Sequence, residues 1–192
     1  MKKVLVLTAH PDDLELACGG TVARFVDEGV EVTNLIVCSN VPHKKYVPES
    51  SKLLGFNPLY LEHRDESITR EVVAEIEALI DISSYDLLIT HWKEDWHQDH
   101  RFCHDLGNSL RRKQPLNVWY MNAYPYCQKY TSFDANVFVD ITKYIEQKKN
   151  SILCYKNVPT KWAKDTEHLT AYRGAFIETQ HAEIFKADTL IV

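Results

Sequence analysis

Apolar positions along the chain fall into two alternating patterns. Short apolar runs of the kind a strand covered on both faces requires occur at Val4–Leu7, Glu31–Cys38, Leu59–Leu61, Asp86–Thr90 and Val118–Met121. Between them, apolar residues recur at helical spacing. Leu14, Cys18, Val22, Phe25 and Val26 share one stripe, with Gly29 as a stop, and a short helix ends near Leu54-Gly55. Val72, Val73, Ile76, Leu79 and Ile80 form another stripe, and Phe102, Cys103, Leu106 and Leu110 a third, closed by Pro115. Residues 42–48 read as a polar connection. Past the fifth strand the pattern loosens into a strand at Val137–Val139, a helix from about Thr142 to Tyr155, and a tail. Four strand–helix alternations predict a Rossmann-like three-layer α/β/α sandwich with a mainly parallel sheet and right-handed crossovers, in a single domain over residues 1–192.

Composition narrows the classes. With 45% apolar and 26% charged residues the chain can bury a core, and a net charge of −5 argues against a nucleic-acid binder. The first apolar run stops at Thr8, so no export segment is expected, and no run approaches the ~18 residues of a membrane span. Cys18, Cys38, Cys103, Cys127 and Cys154 contain no C-x-x-C pair and read as reduced, mostly buried residues, which together suggests a cytoplasmic location. The nine histidines are the feature that points to chemistry, since metal binding and proton transfer both favour this side chain.

Ligands in doubly wound folds gather at the carboxyl ends of the strands. Two polar segments fall there. One is Thr8-Ala9-His10-Pro11-Asp12-Asp13-Leu14-Glu15 after the first strand. The other is His91-Trp92-Lys93-Glu94-Asp95-Trp96-His97-Gln98-Asp99-His100 after the fourth. Strands one and four commonly lie side by side, so these loops are expected to meet. Taken alone, His-Pro-Asp-Asp is an ordinary turn and helix cap. Together the segments supply a catalytic zinc set of three protein ligands, His10, Asp13 and His100, with a position left for water. Asp12 and Asp13 cannot both face one ion easily; one ligates while the other serves as general base. His97 shares a helical face with His100 and can approach the reacting group, with Asp99 holding the His97 imidazole in one tautomer and favouring its protonated form.

The run from Ala9 to Thr21, AHPDDLELACGGT, closely resembles the first motif of the PIG-L/LmbE-like N-acetylglucosamine deacetylases, and His97-Gln98-Asp99-His100 resembles their H-x-D-H. Weaker echoes lie at Leu54-Gly55, Val139-Asp140-Ile141, Arg173-Gly174 and Ala182-Glu183-Ile184-Phe185. The resemblance implies zinc-dependent removal of an N-acetyl group from an N-acetylated amino sugar. In the family the matching residues bind metal at His10, Asp13 and His100; Asp12 is the general base, and His97 stabilises the oxyanion or protonates the leaving amine. One Zn2+ per chain is expected, with Fe2+ or Co2+ able to fill the same set. Neither a nucleic-acid nor a membrane partner is implied. Gly19 and Gly20 are expected to let the first helix pack closely on the sheet.

The departures concern substrate. Family members often carry an arginine ahead of the Leu-Gly, but residues 43–49 hold only Lys44 and Lys45, which can replace it as point charges. Leu14 stands where Glu is common and His181 where Tyr is frequent. The chain is short for the family, which implies an open site suited to a larger acceptor. Trp92 and Trp96 are equally readable as a sugar wall or as packing, while Tyr120, Tyr124, Tyr126 and Tyr130 suggest a half-buried loop. His43, His63, His91, His104 and His168 read as surface or capping residues, with His91 the least settled, and Lys143, Lys148 and Lys149 as a solvated helix face. Two alternatives stand beside deacetylation: amide cleavage on another sugar or thiol conjugate, and a sugar-binding module without turnover.

Overall fold

The computed structural model describes residues 1–63, 70–125 and 133–189. Strands β1 (Lys3–Thr8), β2 (Glu31–Ile36), β3 (Asn57–Tyr60), β4 (Leu87–His91) and β5 (Asn117–Met121) pair in parallel. They alternate with helices α1 (Asp13–Asp27), α2 (Val47–Leu54), α3 (Arg70–Leu79) and α4 (Gln98–Leu110). The central strands β1 and β4 are buried almost throughout, which is why they read as unbroken apolar runs. They pair directly, Val4 opposite Leu87 through Leu7 opposite Thr90.

The chain then adds β6 (Val137–Asp140), α5 (Ile145–Leu153), α6 (Lys161–Gly174) and β7 (Ala182–Thr189). The sheet order is β3-β2-β1-β4-β5-β7-β6, with β7 antiparallel to both neighbours. One apolar core lies between the sheet and α1, α2, α5 and α6; the other lies beneath α3 and α4. The three-layer α/β/α arrangement is therefore that expected from the periodicity.

Three expectations need correction. Residues 42–48 are helical rather than a polar connection: a 3-10 turn at Pro42–Tyr46 runs straight into α2, whose first turn accepts Pro48 because proline lacks only an amide that would be unpaired there. The tail holds a full helix and the strand that joins β5 to β6. Helix α6 escaped detection because its buried stripe is Ala163, Thr166, Thr170, Arg173 and Gly174, which carries almost no apolar signal. Lys148 is buried rather than solvated, and its ammonium lies 2.5 Å from Glu183 Oε1 on β7.

Glycine matters at two contacts. Gly55 ends α2 at φ 82°, and a Cβ there would sit 2.6 Å from Val26 Cγ1. A Cβ on Gly20 would come within 2.9 Å of three Ile141 atoms, so Gly20 seats α1 against the residue that follows β6. At Gly19 the nearest atom would be an ordinary 3.4 Å away, so the close-packing expectation holds for Gly20 alone. Cys18, Cys38, Cys103 and Cys154 are buried and outside any disulfide, whereas Cys127, Tyr126 and Tyr130 lie outside the described residues. Among the described residues no helix is long and apolar enough to cross a membrane.

Candidate active site

The strand order reverses between β1 and β4, and the chain leaves β1 onto one face and β4 onto the other. A crevice opens where the two loops part. On the β1 side, Asp12 occupies the cap position of α1 at φ 99° without using its side chain as a cap. Asp13 takes over the turn, its Oδ2 accepting the His10 amide at 2.7 Å. The buried Asp13 carboxylate then meets three imidazoles: His100 Nε2 at 3.2 Å from Oδ1, and His91 Nε2 and His10 Nδ1 at 3.3 and 3.6 Å from Oδ2.

The β4 loop is organised by Asp95. Its Oδ1 accepts the His97 amide at 2.8 Å and its Oδ2 holds His100 Nδ1 at 2.8 Å. His97 caps α4, its Nδ1 accepting the Asp99 amide at 3.2 Å. With Nδ1 an acceptor, the neutral ring carries its proton on Nε2. The Asp99 carboxylate crosses the crevice to His10 Nε2 at 2.8 Å, while it stands 3.8 Å from His97 Nδ1. The Asp99 carboxylate thus orients His10, while Asp99 holds the tautomer of His97 through its backbone amide rather than, as expected, by favouring a protonated ring with its side chain.

Both His10 and His100 therefore have one ring nitrogen tied to a carboxylate and the other turned to Asp13. That is the usual dress of a metal-binding histidine, in which the outer carboxylate fixes tautomer and ring angle. Donor atoms of Asp13, His91 and His100 lie within 4.8 Å of one another, and so do those of His10, His97 and His100. The trio His10, Asp13 and His100 is divided between these groups, which overlap at His100. The imidazole and carboxylate donors suit zinc or a neighbouring divalent metal.

Charge is concentrated in this cluster. Burial pulls His10 down, but hydrogen bonds and charge from Asp13 and Asp99 outweigh it and hold the imidazole at about 10. His100 behaves alike, its burial overcome by Asp13 and Asp95 to give about 9. His91 is left at about 4 by burial and the adjacent His100 charge, despite Asp13. Although burial disfavours its charge, Asp13 is driven well below the carboxylate range by His100 and His91. Asp12 is pushed well above that range by burial, then by Asp13 and Glu15. Burial, followed by the His100 and His10 charges, keeps His97 below the usual imidazole value.

An open cleft of about 420 Å³ rises from the cluster, lined by His10, Asp12, Asp13, His97 and Asp99 from the two loops. His43, Asn157 and Trp162 complete much of its wall. Sequence reasoning placed the six expected residues at this crevice and missed several others. His91 is buried and stacked on His100 at 3.9 Å, rather than a surface or capping group. Its only signal was its position directly after the apolar run Asp86–Thr90; it is in fact the last residue of β4. His104 is buried behind it, Nδ1 donating to the His91 carbonyl at 3.0 Å. Asp95 could have been found from its place two residues before His97 and five before His100.

The aromatic wall also differs. Trp92 packs near Tyr120 and Phe133, Trp96 is half exposed, and it is Trp162 of α6 that faces the cleft. Tyr124 braces Trp162 edge-on and donates its hydroxyl to Asp165. Lys44 pairs with Glu62 and lies over Tyr60, while Lys45 lies over Tyr46, so neither stands in the cleft as a substitute for the family arginine. His63 bonds Glu75, and His168 is exposed.

The fold and crevice define a Rossmann-like α/β protein with a histidine–carboxylate centre at its topological switch point. Residues 5–53 match the PIG-L family, described as GlcNAc-PI de-N-acetylase. The 1D-myo-inositol 2-acetamido-2-deoxy-alpha-D-glucopyranoside deacetylase of Tsukamurella paurometabola is 34% identical over 62 residues, 28% of this chain and 20% of that protein. The match thus spans about a fifth of that relative's length. Diacetylchitobiose deacetylase of Thermococcus kodakarensis is 23% identical, with 95% of this chain and 82% of that one aligned. Among solved structures, the 4-carboxy-2-hydroxymuconate hydratase of Pseudomonas putida KT2440 overlays with a TM-score of 0.87 at 14% identity, covering 100% of this chain and 98% of the hydratase. That likeness concerns the fold alone.

Proposed function

We propose that the chain is a metal-dependent N-deacetylase that hydrolyses the acetamide of an N-acetylglucosamine-type sugar or glycoconjugate. The observation that carries this reading is the paired arrangement of His10 and His100, each anchored by a carboxylate and each facing Asp13 at the foot of an open cleft. His10, Asp13 and His100 would hold the ion. Bound there, zinc supplies Lewis acidity, lowering the pKa of a coordinated water toward ~7 and polarising a carbonyl.

The chain's own groups do the rest. Asp12, on the cleft wall and not engaged as a cap, accepts the proton of the attacking water. The His97 Nε2–H donates to the oxygen on which negative charge builds as the acetyl carbon becomes tetrahedral. The C–N bond then breaks, the amine takes the proton that Asp12 removed, and acetate and a free amino sugar leave. Trp162 offers an apolar face to a pyranose ring, and the open cleft admits a large aglycone. The sugar relatives support the substrate class. The hydratase neighbour shows why the fold by itself does not select the reaction.

The test is metal content together with acetate release across a panel of N-acetylhexosamine compounds, for wild type and Asp12→Ala. Stoichiometric metal in both proteins, with acetate released only by wild type, is the expected result. Metal-replete wild type that releases no acetate from any of them overturns the reading.

A further inference from the structure

Helix α1 is broken one turn beyond the carboxylates of the first loop, at Cys18, whose backbone has φ −138° and ψ 18°. In an unbroken helix the Gly20 amide would bond the Leu16 carbonyl. Instead Gly20 donates to Glu183 Oε1 at 3.0 Å and Thr21 to Oε2 at 2.6 Å. On the other side of the break, the Lys148 ammonium donates to the carbonyls of Glu15 and Leu16 at 2.9 and 3.0 Å. It also pairs with Glu183 Oε1 at 2.5 Å. A cation thus caps the end of one half-helix and an anion the start of the next, as helix dipoles favour, and the two caps are each other's counter-ion. Both side chains are buried.

A buried ion pair is poor value as a source of stability, because desolvation offsets its attraction. Its position suggests another purpose. The Leu16 amide donates to the Asp12 carbonyl at 3.0 Å, so the turn gripped by Lys148 is the turn that holds Asp12. Asp12 sits at φ 99°, a conformation that a residue with a Cβ keeps only when its surroundings enforce it. Glu15, in the same turn, is fixed as well by Ser50 and Tyr155.

We infer that Lys148 and Glu183 are positioning residues: their ion pair, inserted into the break of α1, holds the half-helix Asp13–Ala17 so that Asp12 keeps its left-handed backbone and Asp13 faces His100. Residues far apart in the chain thereby set the geometry of the first loop. The inference rests on the reading of the crevice as a metal centre.

The experiment compares full-length wild type with Lys148→Met, Lys148→Arg and Glu183→Gln. Zinc affinity is measured by chelator competition and ligand geometry by the visible spectrum of the Co2+ form, with circular dichroism and thermal melting as the control for folding. Folded Lys148→Met and Glu183→Gln are expected to bind zinc about 10-fold or more weakly, the scale on which outer partners act on metal ligands, and to show an altered cobalt spectrum. Lys148→Arg, which keeps the cation, recovers most of the affinity. If Lys148→Met does not fold, Glu183→Gln and the double variant Lys148→Met/Glu183→Leu carry the same comparison. Variants that melt earlier yet match wild type in affinity and spectrum overturn the positioning role. Wild type that binds no zinc overturns the metal-centre reading and this inference with it.

Discussion

The loop after β4 is built from its own residues, whereas the loop after β1 depends on the far end of the chain. Asp95 holds both the His97 amide and the His100 ring, and His97 caps the helix that carries His100, all within six residues. The β1 loop has no side-chain cap, keeps Asp12 at φ 99° and enters a helix that breaks at Cys18. Its supports include Lys148 on α5 and Glu183 on β7. The difference is physical. A capped helix start satisfies its amides locally, while a strained residue needs tertiary contacts to hold it in place. The two loops should therefore fail in different ways.

The largest expected effect is chemical. Asp12→Ala should lower kcat by ~10²–10⁴-fold while retaining metal, the range for loss of a general base. Single-turnover acetate release with metal analysis checks it, and metal lost along with activity would mean that Asp12 is part of the metal set. Next come the outer carboxylates. Asp95→Ala and Asp99→Ala should each weaken zinc binding by ~10–100-fold, read by chelator competition. An Asp95→Ala protein that instead unfolds outright would break the picture of a self-contained second loop.

The pH response sharpens the comparison further. His10 at about 10 and His100 at about 9 both lie above the ordinary 6.5, so their pairing with carboxylates stabilises the metal-free fold fully below pH 6.5. That contribution should drain away as pH rises through 9 and 10. A bound metal requires both rings deprotonated, so zinc affinity should rise over the same interval, with proton release on binding. Melting curves of metal-free and zinc-loaded protein, and calorimetry in buffers of different ionisation enthalpy, measure the two trends. Equal pH slopes for the two forms would contradict the assignment.

Smaller effects concern packing. Gly20→Ala places a methyl against Ile141 and should cost about 1–3 kcal/mol in urea unfolding, with the β1 loop the more disturbed. Trp96→Ala, at a half-exposed position, should stay within about 0.5 kcal/mol and leave zinc affinity unchanged. A loss of sugar binding there, with Trp162→Ala silent, would move the substrate wall from α6 to the β4 loop.

The five parallel strands and the four helices between them were legible because each carries its own periodicity. So was the meeting of the two loops, since sheet order follows from crossover rules. The six expected site residues came from two compact motifs. Helix α6 and strand β7 were not legible, because threonine, alanine and arginine fill the buried stripe of the helix. His91 looked like an isolated residue, since nothing in its neighbourhood along the chain announces the stack on His100. Lys148 looked solvated because its acidic partner lies 35 residues away on another element.

The sequence by itself determined the alternation of strands and helices and the types of side chain offered at the strand ends. Donor chemistry is a property of residues, and periodicity a property of short segments. Tertiary structure alone decided which carboxylate serves which histidine. The Asp99 carboxylate reaches His10 rather than His97, Asp95 takes His100, and Lys148 with Glu183 bridges the broken helix. Those choices depend on which atoms packing brings within hydrogen-bond reach, and spacing along the chain holds no record of that distance.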